Sequence, residues 1–399
     1  MPHHRPGPIL IAGGGIGGLS AALALARSGW HCIVAERRAD WSEAGAGIQL
    51  SPNGARILER LGVAHRLAPS VAAPREIRVR EARSGAILQR LPLGDWIADR
   101  HGAPFWQVHR RDLQSALVEA ATAEPRIEVR LGFEAVAFED DGRRARLVGR
   151  DGRALEGSAL IAADGVFSLL RRQLLATPAP RFSGWTAART IVPLPIASDS
   201  DGLIAPDATG VWLAPDAHVV HYPVRAGREM AFVVVRTEPW QEQGWSAPVP
   251  SGIVEAQLRR VAPRLAAALG GEHDWRRWAL FELEPLPSLA KGRVALLGDA
   301  AHPTLPFLAQ GGVLALEDAA TLASSLDRID TAPDIPTALA AYSGKRLPRS
   351  RRVVAAARRN GTVFHLGGIA GLARNAAMRA LGGERIMTGY DWLYGWRPE

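Results

Sequence analysis

A glycine cluster between a short apolar run and an alanine-rich segment constrains this chain more than any other feature. The run that begins at Pro8 is followed by Gly13, Gly15 and Gly18, which satisfy the spacing GxGxxG. This spacing predicts a strand, a tight turn and a helix whose free N–H groups point at a pyrophosphate. We expect Gly13 to make the turn, Gly15 to let phosphates approach, and Gly18 to let the helix pack closely on the strand.

The cluster alone does not establish nucleotide binding, because glycine-rich turns after strands also have purely structural roles. A second apolar run, residues 31–36, ends on Glu36. An acid at the end of this second strand can accept hydrogen bonds from both ribose hydroxyls of adenosine. Arg37, the next residue, lies where an arginine could bind the 2′-phosphate of NADP. The acid before it nevertheless favours an unphosphorylated ribose. FAD or NAD therefore fits this position better than NADP.

Charge and composition exclude several classes of function. The chain has 399 residues, long enough for two or three domains, and 47% of them are hydrophobic, as in globular proteins. The net charge of +8 comes from arginine, since lysine occurs only at positions 291 and 345. Arginine pairs occur at residues 171–172, 276–277, 351–352 and 358–359. No basic repeat interleaved with aromatic residues and no zinc-ligand spacing accompanies them. We therefore expect them to steer an anionic cofactor or substrate, and we expect no nucleic-acid partner.

Apolar patterning and cysteine content bear on the compartment. No uninterrupted apolar stretch approaches about 18 residues, the length that a membrane span needs. The glycine cluster also interrupts the apolar N-terminus, which lacks a small-residue cleavage site. The single cysteine, Cys32, lies inside an apolar run and is expected to be a core residue. We expect a cytoplasmic protein with no stable membrane insertion and no metal site.

The pattern of elements predicts an α/β chain with a mostly β portion. Residues 8–36 indicate strand–helix–strand, and Ser51 followed by Pro52 predicts a helix start. Further predictions, in chain order, are a strand-like stretch at 75–92, a helix entry at 109–117, a β-meander over 126–163, a mostly β stretch over 178–290 with a helical segment at 252–269, a strand–loop–helix over 293–326, and an arginine-rich helical remainder to about 380.

Three later blocks carry chemistry that suits a flavin. Arg110 begins a predicted helix and could reach a phosphate or ribityl chain, although a solvated helix start is the commoner reason for such an arginine. A strand then ends on Asp164-Gly165, with Ser168 and Arg171 beyond it. A third strand ends on Asp299, which could accept hydrogen bonds from ribityl hydroxyls. Backbone N–H groups near Gly311 and Gly312 could face the electron-rich pyrimidine edge of a flavin.

Taken together and in this order, the glycine cluster with Glu36, the Asp164 block and the Asp299 block resemble the FAD-dependent aromatic hydroxylases, the class A flavoprotein monooxygenases. The loop from Gly45 to Asn53 and the ending Tyr390–Trp396 resemble the salicylate hydroxylase and 3-hydroxybenzoate 6-hydroxylase branch of that family. The resemblance runs from about residue 8 to residue 345.

The resemblance implies a Rossmann-type FAD-binding domain with an inserted, mostly β substrate domain and a helical C-terminus. The expected FAD-binding domain comprises residues 1–74, 100–177 and 290–345. The expected substrate domain comprises 75–99 and 178–289, and a C-terminal helical segment comprises 346–399. The expected FAD-binding residues are Gly13, Gly15, Ile16, Gly17, Gly18, Glu36, Arg37, Gly47, Arg110, Ala135, Asp164, Asp299, Pro306, Gly311 and Gly312.

The resemblance also assigns catalytic roles. Within the predicted strand 218–224, His218 and Tyr222 share one face and His221 points the other way. The family places a similarly spaced histidine and tyrosine above the flavin, and Gln310 matches a position that lines the same pocket. Without the family, His218 is more simply a structural histidine. Gln49 is a weaker pocket candidate, and we expect His302 to be structural.

The implied reaction uses NADH or NADPH and dioxygen to hydroxylate a small phenolic acid through a flavin C4a-hydroperoxide. His218, with Tyr222, would take or share the phenolic proton, since the unperturbed pKa of histidine lies near neutrality. The protein is expected to act as a monomer or homodimer. The alternatives are a flavin epoxidase or hydroxylase of a larger apolar substrate, and a non-enzymatic flavin-binding module. A halogenase is disfavoured, because Trp275 to Trp278 lacks the Ile-Pro ending of the halogenase motif.

Overall fold

The computed structural model describes residues 5–41, 46–196, 199, 201–327, 329 and 331–398. Gly45, the first residue of the loop quoted above, lies outside this set. The strands are β1 Ile9–Ala12, β2 Cys32–Glu36, β3 Gly47–Leu50, β4 Glu76–Glu81, β5 Ile87–Pro92, β6 Trp106–His109, β7 Ile127–Leu131, β8 Ala135–Asp140, β9 Ala145–Gly149, β10 Ala154–Gly157, β11 Ala159–Ala162, β12 Arg181–Pro193, β13 Ala208–Ala214, β14 Ala217–Val224, β15 Glu229–Thr237, β16 Ser246–Val249, β17 Trp275–Glu282, β18 Ala290–Lys291 and β19 Val294–Leu296.

Helices cover the sheets and make up the C-terminal part of the chain. They are α1 Ile16–Arg27, α2 Pro52–Arg60, α3 Ala64–Leu67, α4 Gly94–His101, α5 Arg110–Thr122, α6 Leu169–Leu175, α7 Ser251–Val261, α8 Pro263–Leu269, α9 Gly311–Leu326, α10 Ile335–Phe364, α11 Gly368–Leu381, α12 Gly383–Thr388 and α13 Asp391–Tyr394. Short 3-10 turns lie at Ala68–Ser70, Gly298–Ala300, Pro306–Leu308 and Ala332–Asp334. In the described part of the chain, no helix is long and apolar enough to cross a membrane.

The glycine cluster sits at the edge of a parallel sheet. Its strand order is β18-β19-β11-β1-β2-β7, and every pair is parallel except β18 with β19. Strands β1 and β11 are buried along their whole length, because helices such as α1, α5 and α9 pack beside them. The carboxyl ends of β1, β11 and β19 therefore meet on one edge, and each leads into one of the chemistry-bearing blocks.

The predicted β-meander over 126–163 is partly wrong. Only β8, β9 and β10 form an antiparallel sheet. Strand β7 instead pairs in parallel with β2, and β11 pairs in parallel with β1. The strand positions themselves follow the prediction, but alternation along one strand does not specify its partner.

An eight-stranded mixed sheet, ordered β16-β17-β12-β15-β14-β13-β4-β5, stands beside the parallel sheet. One face packs against α7 and α8 through Trp212, Phe232 and their neighbours. The opposite face, which we call the site face, presents Trp185, Ala187, Tyr222 and other residues toward the loop that contains Phe307. The two faces follow from the alternation of side chains along each strand.

Two stretches contain helical detail that the sequence analysis did not give. The helical segment predicted over 252–269 consists of two helices, α7 and α8, separated at Ala262, whose φ of −139° and ψ of 71° are not helical. Pro263 explains the break, because proline disfavours the helical region for the residue before it. The stretch expected to be β-rich at 75–99 also contains most of α4.

The C-terminal part is continuous with the rest of the protein. Helix α10 runs unbroken from Ile335 to Phe364, so the expected boundary between residues 345 and 346 falls inside it. Arg346 and Arg349 on this helix bond to Glu317 and Asp318 on α9, as described below. The α/β class and the helical C-terminus are confirmed.

Candidate functional site

The turn after β1 has the geometry that the three glycines need. Gly13 has a φ of +110°, and a Cβ there would overlap the carbonyl of Ala163. A Cβ at Gly18 would overlap the carbonyl oxygen of Gly13, so the helix could not pack this closely with a larger residue. Gly15, in contrast, has no atom within 4 Å of a Cβ position. The N-terminus of α1, which begins at Ile16, thus opens onto free space.

Glu36 and Gln114 hold this turn from two directions. Glu36 accepts a hydrogen bond from the backbone N–H of Gly14 at 2.8 Å and another from Arg38. Gln114, on α5, donates to the carbonyl of Gly14 at 2.6 Å. The sequence analysis did not single out Gln114, because a lone helical glutamine carries no motif. Arg37 is exposed at the protein surface.

The Asp164 block forms the second wall. Ser168 caps α6 by accepting a hydrogen bond from the backbone N–H of Arg171 at 2.9 Å. The buried guanidinium of Arg171 donates to the carbonyl of Ala300 at 3.0 Å, which ties this block to the Asp299 block. Asp164 Oδ1 is buried without a partner, and burial raises the pKa of this carboxyl. An orphaned carboxylate oxygen at this edge is suited to a hydroxyl or N–H donor from a ligand.

Asp299 follows β19 in the 3-10 turn at 298–300 and keeps an exposed side chain. Desolvation raises the pKa of its carboxyl, while Arg110 and His302 oppose that rise. Arg110 begins α5, and its backbone N–H donates to Ala46 at 2.9 Å. Asp299 thus lies at the same edge of the parallel sheet as Gly15 and Asp164, with Arg110 within electrostatic reach of it.

The segment before α9 packs against the β3 loop. Pro306 begins a 3-10 turn, and Ala309 has a φ of +52°. A Cβ at Gly312 would lie 2.7 Å from Ile48, whereas one at Gly311 would be in ordinary contact, 3.5 Å from Thr304.

Two other residues expected to bind FAD lie beside the main core. Gly17 packs on Leu297, and Ala135 begins β8.

Gly47 brings the predicted cofactor loop and the predicted catalytic strand together. A Cβ at Gly47 would lie 2.8 Å from the hydroxyl of Tyr222 and would overlap its ring. Tyr222 is buried on the site face, and burial raises its pKa to about 12. The phenol of Tyr222 thus stays protonated at neutral pH and can donate a hydrogen bond.

His218 lies four residues earlier on the same face and contacts a second histidine. His218 Nδ1 is 2.8 Å from Nε2 of His365, which follows α10. The ring of His365 stacks on Trp185 with centroids 4.1 Å apart, and Phe307 packs edge-on against His218. His221 points to the opposite face, between Trp212 and Phe232, as alternation predicts.

The electrostatics of the histidine pair differ from the sequence-based hypothesis. Burial, with a smaller contribution from His365, lowers the pKa of His218 to about 3. Burial likewise lowers the pKa of His365 to about 4. Both rings are therefore neutral at neutral pH, and one must donate the proton in their hydrogen bond. The sequence-based hypothesis assumed that His218 titrates near neutral pH. In the free protein its pKa is instead well below neutrality.

Gln310 is engaged on both sides of its amide. Its Oε1 accepts from Asn53 at 3.2 Å and its Nε2 donates to Ser51 at 2.9 Å. Asn53 also donates to Glu317 at 2.7 Å. Gln310 is thus buried in a network that links the start of α2 to α9. Gln49 lies on β3, where it pairs in register with Gln107 of β6.

A buried ion network lies beneath the Asp299 turn; its members are His302, Glu317, Asp318, Arg346 and Arg349. Arg346 Nε bonds to Asp318 at 2.6 Å and its Nη1 to Glu317 at 2.9 Å. Asp318 also accepts from the backbone N–H of Gly298 at 2.9 Å and contacts His302 at 2.7 Å. His302 is therefore part of the scaffold. Arg346 and Arg349 neutralise the internal carboxylates of Glu317 and Asp318.

Sequence reasoning also missed Arg189, on β12. It shares the site face with Ala187 and lies over the ring of Trp278, 5.1 Å from its centroid. Tyr222 and Arg110 both lie within electrostatic reach of it. A spacing of two from Trp185 through Ala187 to Arg189 is the signal that could have placed it on this face.

The cleft residues fit FAD. The open backbone at Gly15 and the start of α1 suit a pyrophosphate, and Glu36 suits the adenosine ribose. Asp299 and the orphaned oxygen of Asp164 suit hydroxyl and N–H donors farther along the cofactor. Gly47 lets the start of β3 lie directly against the ring of Tyr222 on the site face.

Comparison with known proteins gives consistent findings. A family model described as "FAD binding domain" matches residues 7–357. The chain is 35% identical to 3-hydroxybenzoate 6-hydroxylase of Polaromonas naphthalenivorans, over 98% of this chain and 96% of that protein. It is 37% identical to 3-amino-4-hydroxybenzoate 2-monooxygenase of Streptomyces cremeus, over 97% and 94%.

Solved structures agree with these sequence relatives. The structure of Klebsiella pneumoniae HpxO complexed with FAD and uric acid has a TM-score of 0.86 at 29% identity and covers 98% of each chain. A salicylate hydroxylase substrate complex has a TM-score of 0.83 at 24% identity, covering 98% of this chain and 96% of that one, which shows a shared fold.

Proposed function

The chain belongs to the FAD-binding-domain family of flavin-dependent hydroxylases, and on that premise we propose that it hydroxylates a small phenolic aromatic acid with NADH or NADPH and dioxygen. The relatives are named as enzymes, which disfavours a non-enzymatic flavin-binding module. They are also named for hydroxybenzoates and aminohydroxybenzoates. These names favour a small phenolic acid over a larger apolar substrate.

One observation carries the proposal for the site: the contact between Gly47 and Tyr222. Gly47 belongs to the loop expected beside the flavin ring, and Tyr222 belongs to the strand that bears His218. Their contact supports the proposal, because it joins the loop expected beside the flavin to the strand that bears the expected catalytic residues.

Bound FAD supplies the hydride acceptor and the oxygen chemistry. We propose that it is held by Gly13, Gly15, Ile16, Gly17, Gly18, Glu36, Arg37, Gly47, Arg110, Ala135, Asp164, Asp299, Pro306, Gly311 and Gly312. Of these, Arg37 contributes least, because its side chain is exposed.

His218 accepts or shares the substrate's phenolic proton through Nε2, because His365 already engages Nδ1. When His218 donates its Nδ1–H to His365, the lone pair on Nε2 faces away from that bond and can accept from a phenol. Aromatic rings of Trp185, Phe307 and Phe364 surround the pair and exclude water from it. His365 thus acts as a positioning residue that selects the tautomer of His218.

Tyr222 and Gln310 have different roles in this scheme. Tyr222 keeps its proton, since burial raises its pKa to about 12, and it donates to an oxygen of the substrate. Gln310 acts through Ser51 and Asn53 and positions the loop before α9. We propose a monomer or homodimer as the assembly.

The test of the function is substrate-dependent oxidation of NADH and NADPH with the FAD-loaded protein. Hydroxybenzoates, aminohydroxybenzoates and hydroxynicotinates form the panel, and the product is identified by its mass. We expect one of these acids to accelerate oxidation and to gain one oxygen atom. The proposal would be contradicted if no acid in the panel gave a hydroxylated product, even where the acid accelerated the oxidation of NADH or NADPH.

The test of the site compares two histidines of β14. His218→Gln is expected to slow coupled hydroxylation by about 100-fold or more, the usual contribution of a general acid–base group, while FAD affinity stays within about twofold. His221→Gln is the matched control, because this histidine is equally buried but lies on the opposite face. Equal coupled rates for His218→Gln and the unmodified protein would refute the role of His218.

A further inference from the structure

A buried cation without a counter-ion lies on the site face. Arg189 occupies β12, where it pairs in register with Val233 of β15 and with Arg276 of β17. Its guanidinium lies over the ring of Trp278. Neither neighbouring strand offers a carboxylate at that level. The side chain lies on the site face, within electrostatic reach of Tyr222 and Arg110.

No hydrogen bond or ion pair to Arg189 occurs among the described residues. Its Nε is buried without a partner, although the residue as a whole keeps some accessible surface. Two arginines that are more deeply buried are paired through their guanidinium groups: Arg346 binds two carboxylates, and Arg171 donates to two carbonyls although its Nε also lacks a partner. A desolvated charge without a partner is costly, so such a residue usually serves a ligand.

We propose that Arg189 is the counter-ion that binds the carboxylate of the aromatic acid substrate. The inference rests on the proposed function and names the group that this site recognises. A benzoate arrives already ionised, whereas its phenol arrives neutral and finds an acceptor at His218. The planar fork of arginine matches the two oxygens of a carboxylate.

The spacing on the sheet suits one aromatic ring. His218 and Ala187 both pair with Val235, and Arg189 lies two residues beyond Ala187. The strands of His218 and Arg189 are separated only by β15, about 10 Å across the sheet, and the offset of two residues brings the distance between the two backbone positions to about 12 Å. Two long side chains that converge from this separation can contact a hydroxyl and a carboxylate on the same ring. Tyr222 completes the triangle near Gly47.

The experiment measures binding without turnover. FAD-loaded protein is titrated with 3-hydroxybenzoate and with 3-hydroxybenzamide in the absence of NADH and NADPH, and binding is followed by the flavin absorbance. We expect the unmodified protein to bind the acid at least about 30-fold more tightly than the amide, as a charge-assisted pair provides. Arg189→Gln should bind the two compounds alike, and Arg189→Lys should recover part of the preference.

Arg276→Gln is the matched control, since it removes the same charge from the neighbouring register position but from an exposed side chain. It should keep the preference within about twofold, as surface charges contribute little. A second measurement separates ligand binding from a structural role. Without any aromatic acid, Arg189→Gln should unfold at the same or a higher temperature, because it removes an unpaired buried charge.

Three outcomes would overturn the inference. Arg189→Gln could retain the preference for the acid over the amide. It could instead lose only the preference for 3-hydroxybenzoate over benzoate, which would assign the arginine to the phenol oxygen. It could also lower the unfolding temperature of the ligand-free protein substantially. Failure of the unmodified protein to bind or hydroxylate any phenolic acid would contradict the proposed function itself, whereas the three outcomes above leave that function intact.

Discussion

The buried ion network and the site face are both polar and both desolvated, but they differ in how their groups are partnered. In the ion network, each carboxylate meets a cation: Arg346 bridges Glu317 and Asp318, and Arg349 binds Glu317 again. On the site face, Arg189 has no carboxylate partner among the described residues, and His218 has only another neutral histidine.

This difference separates scaffold from site. The ion network holds the Gly298–Ala300 turn through the bond from Gly298 to Asp318, so it fixes where Asp299 faces the cleft. Although burial alone would raise the pKa of Asp318, His302 and Arg346 hold it at about 2. The site face keeps unsatisfied capacity that a bound aromatic acid can use.

The largest effect is expected from breaking the ion network. Arg346→Met leaves Glu317 and Asp318 buried with too little positive charge, which should lower the free energy of unfolding by about 3–5 kcal/mol. Arg352→Met, on the exposed side of the same helix, loses only a stacking contact on Trp392 and should cost less than about 1 kcal/mol. Denaturant unfolding measures both, and equal losses would show that the network is not the scaffold.

A second test contrasts filled and open space at the glycine turn. Gly15→Ala places a methyl group in open space next to the expected pyrophosphate, so it should weaken FAD binding by about tenfold with little change in the stability of the apoprotein. Gly18→Ala should instead destabilise the apoprotein, because its methyl group overlaps Gly13. Titration of the apoproteins with FAD and thermal unfolding distinguish the two; an unchanged FAD affinity in Gly15→Ala contradicts the placement of the cofactor.

The neutral histidine on the site face predicts a pH dependence of stability. The unfolded chain protonates His218 near pH 6.5, whereas the folded chain does so only near pH 3. Between these values the unfolded state binds more protons, so stability falls as the pH falls, by about 1.4 kcal/mol per pH unit for each such proton. His218→Gln should show a shallower loss between pH 6.5 and 4. An identical slope would mean that His218 is charged in the folded protein.

The smallest effect is expected at the Asp164 block. Ser168→Ala removes the cap of α6 and should lower the free energy of unfolding by about 1 kcal/mol. Ser158→Ala, in another buried serine, is the comparison, since the hydroxyl of Ser158 does not cap a helix. Urea unfolding measures both variants, and a smaller loss for Ser168→Ala than for Ser158→Ala would contradict the capping role.

Local features of the fold were predictable from sequence, but pairing was not. The turn at Gly13, the helix start at Pro52 and the two faces of β14 follow from local conformational preferences that each segment carries itself. Strands β2 and β7 are far apart in the chain and pair in parallel only once the helices between them have packed on the sheet. The alternation of residues along β7 does not specify this partner.

The candidate site divides in the same way. Residues in spaced motifs, such as Asp164 and Asp299, were singled out because their order resembles a family. Arg189 and His365 were missed, since alternation along β12 indicates the face of Arg189 but not its role, and an isolated histidine after a helix has no local signal. Their roles come from long-range contacts, with Trp278 in one case and His218 in the other. The low pKa of His218 likewise results from burial, which the sequence does not express.

The central claim, that this FAD-dependent hydroxylase inserts oxygen into a phenolic acid at the site face, is tested most directly with isotopically labelled dioxygen. The FAD-loaded protein is given NADH or NADPH with 3-hydroxybenzoate and the other acids of the panel, and the product is examined by mass spectrometry. We predict that one acid yields a hydroxylated product that carries a single labelled oxygen atom, and that His218→Gln yields far less of it. Hydroxylated product without the label, or equal labelled product from His218→Gln, would contradict the account.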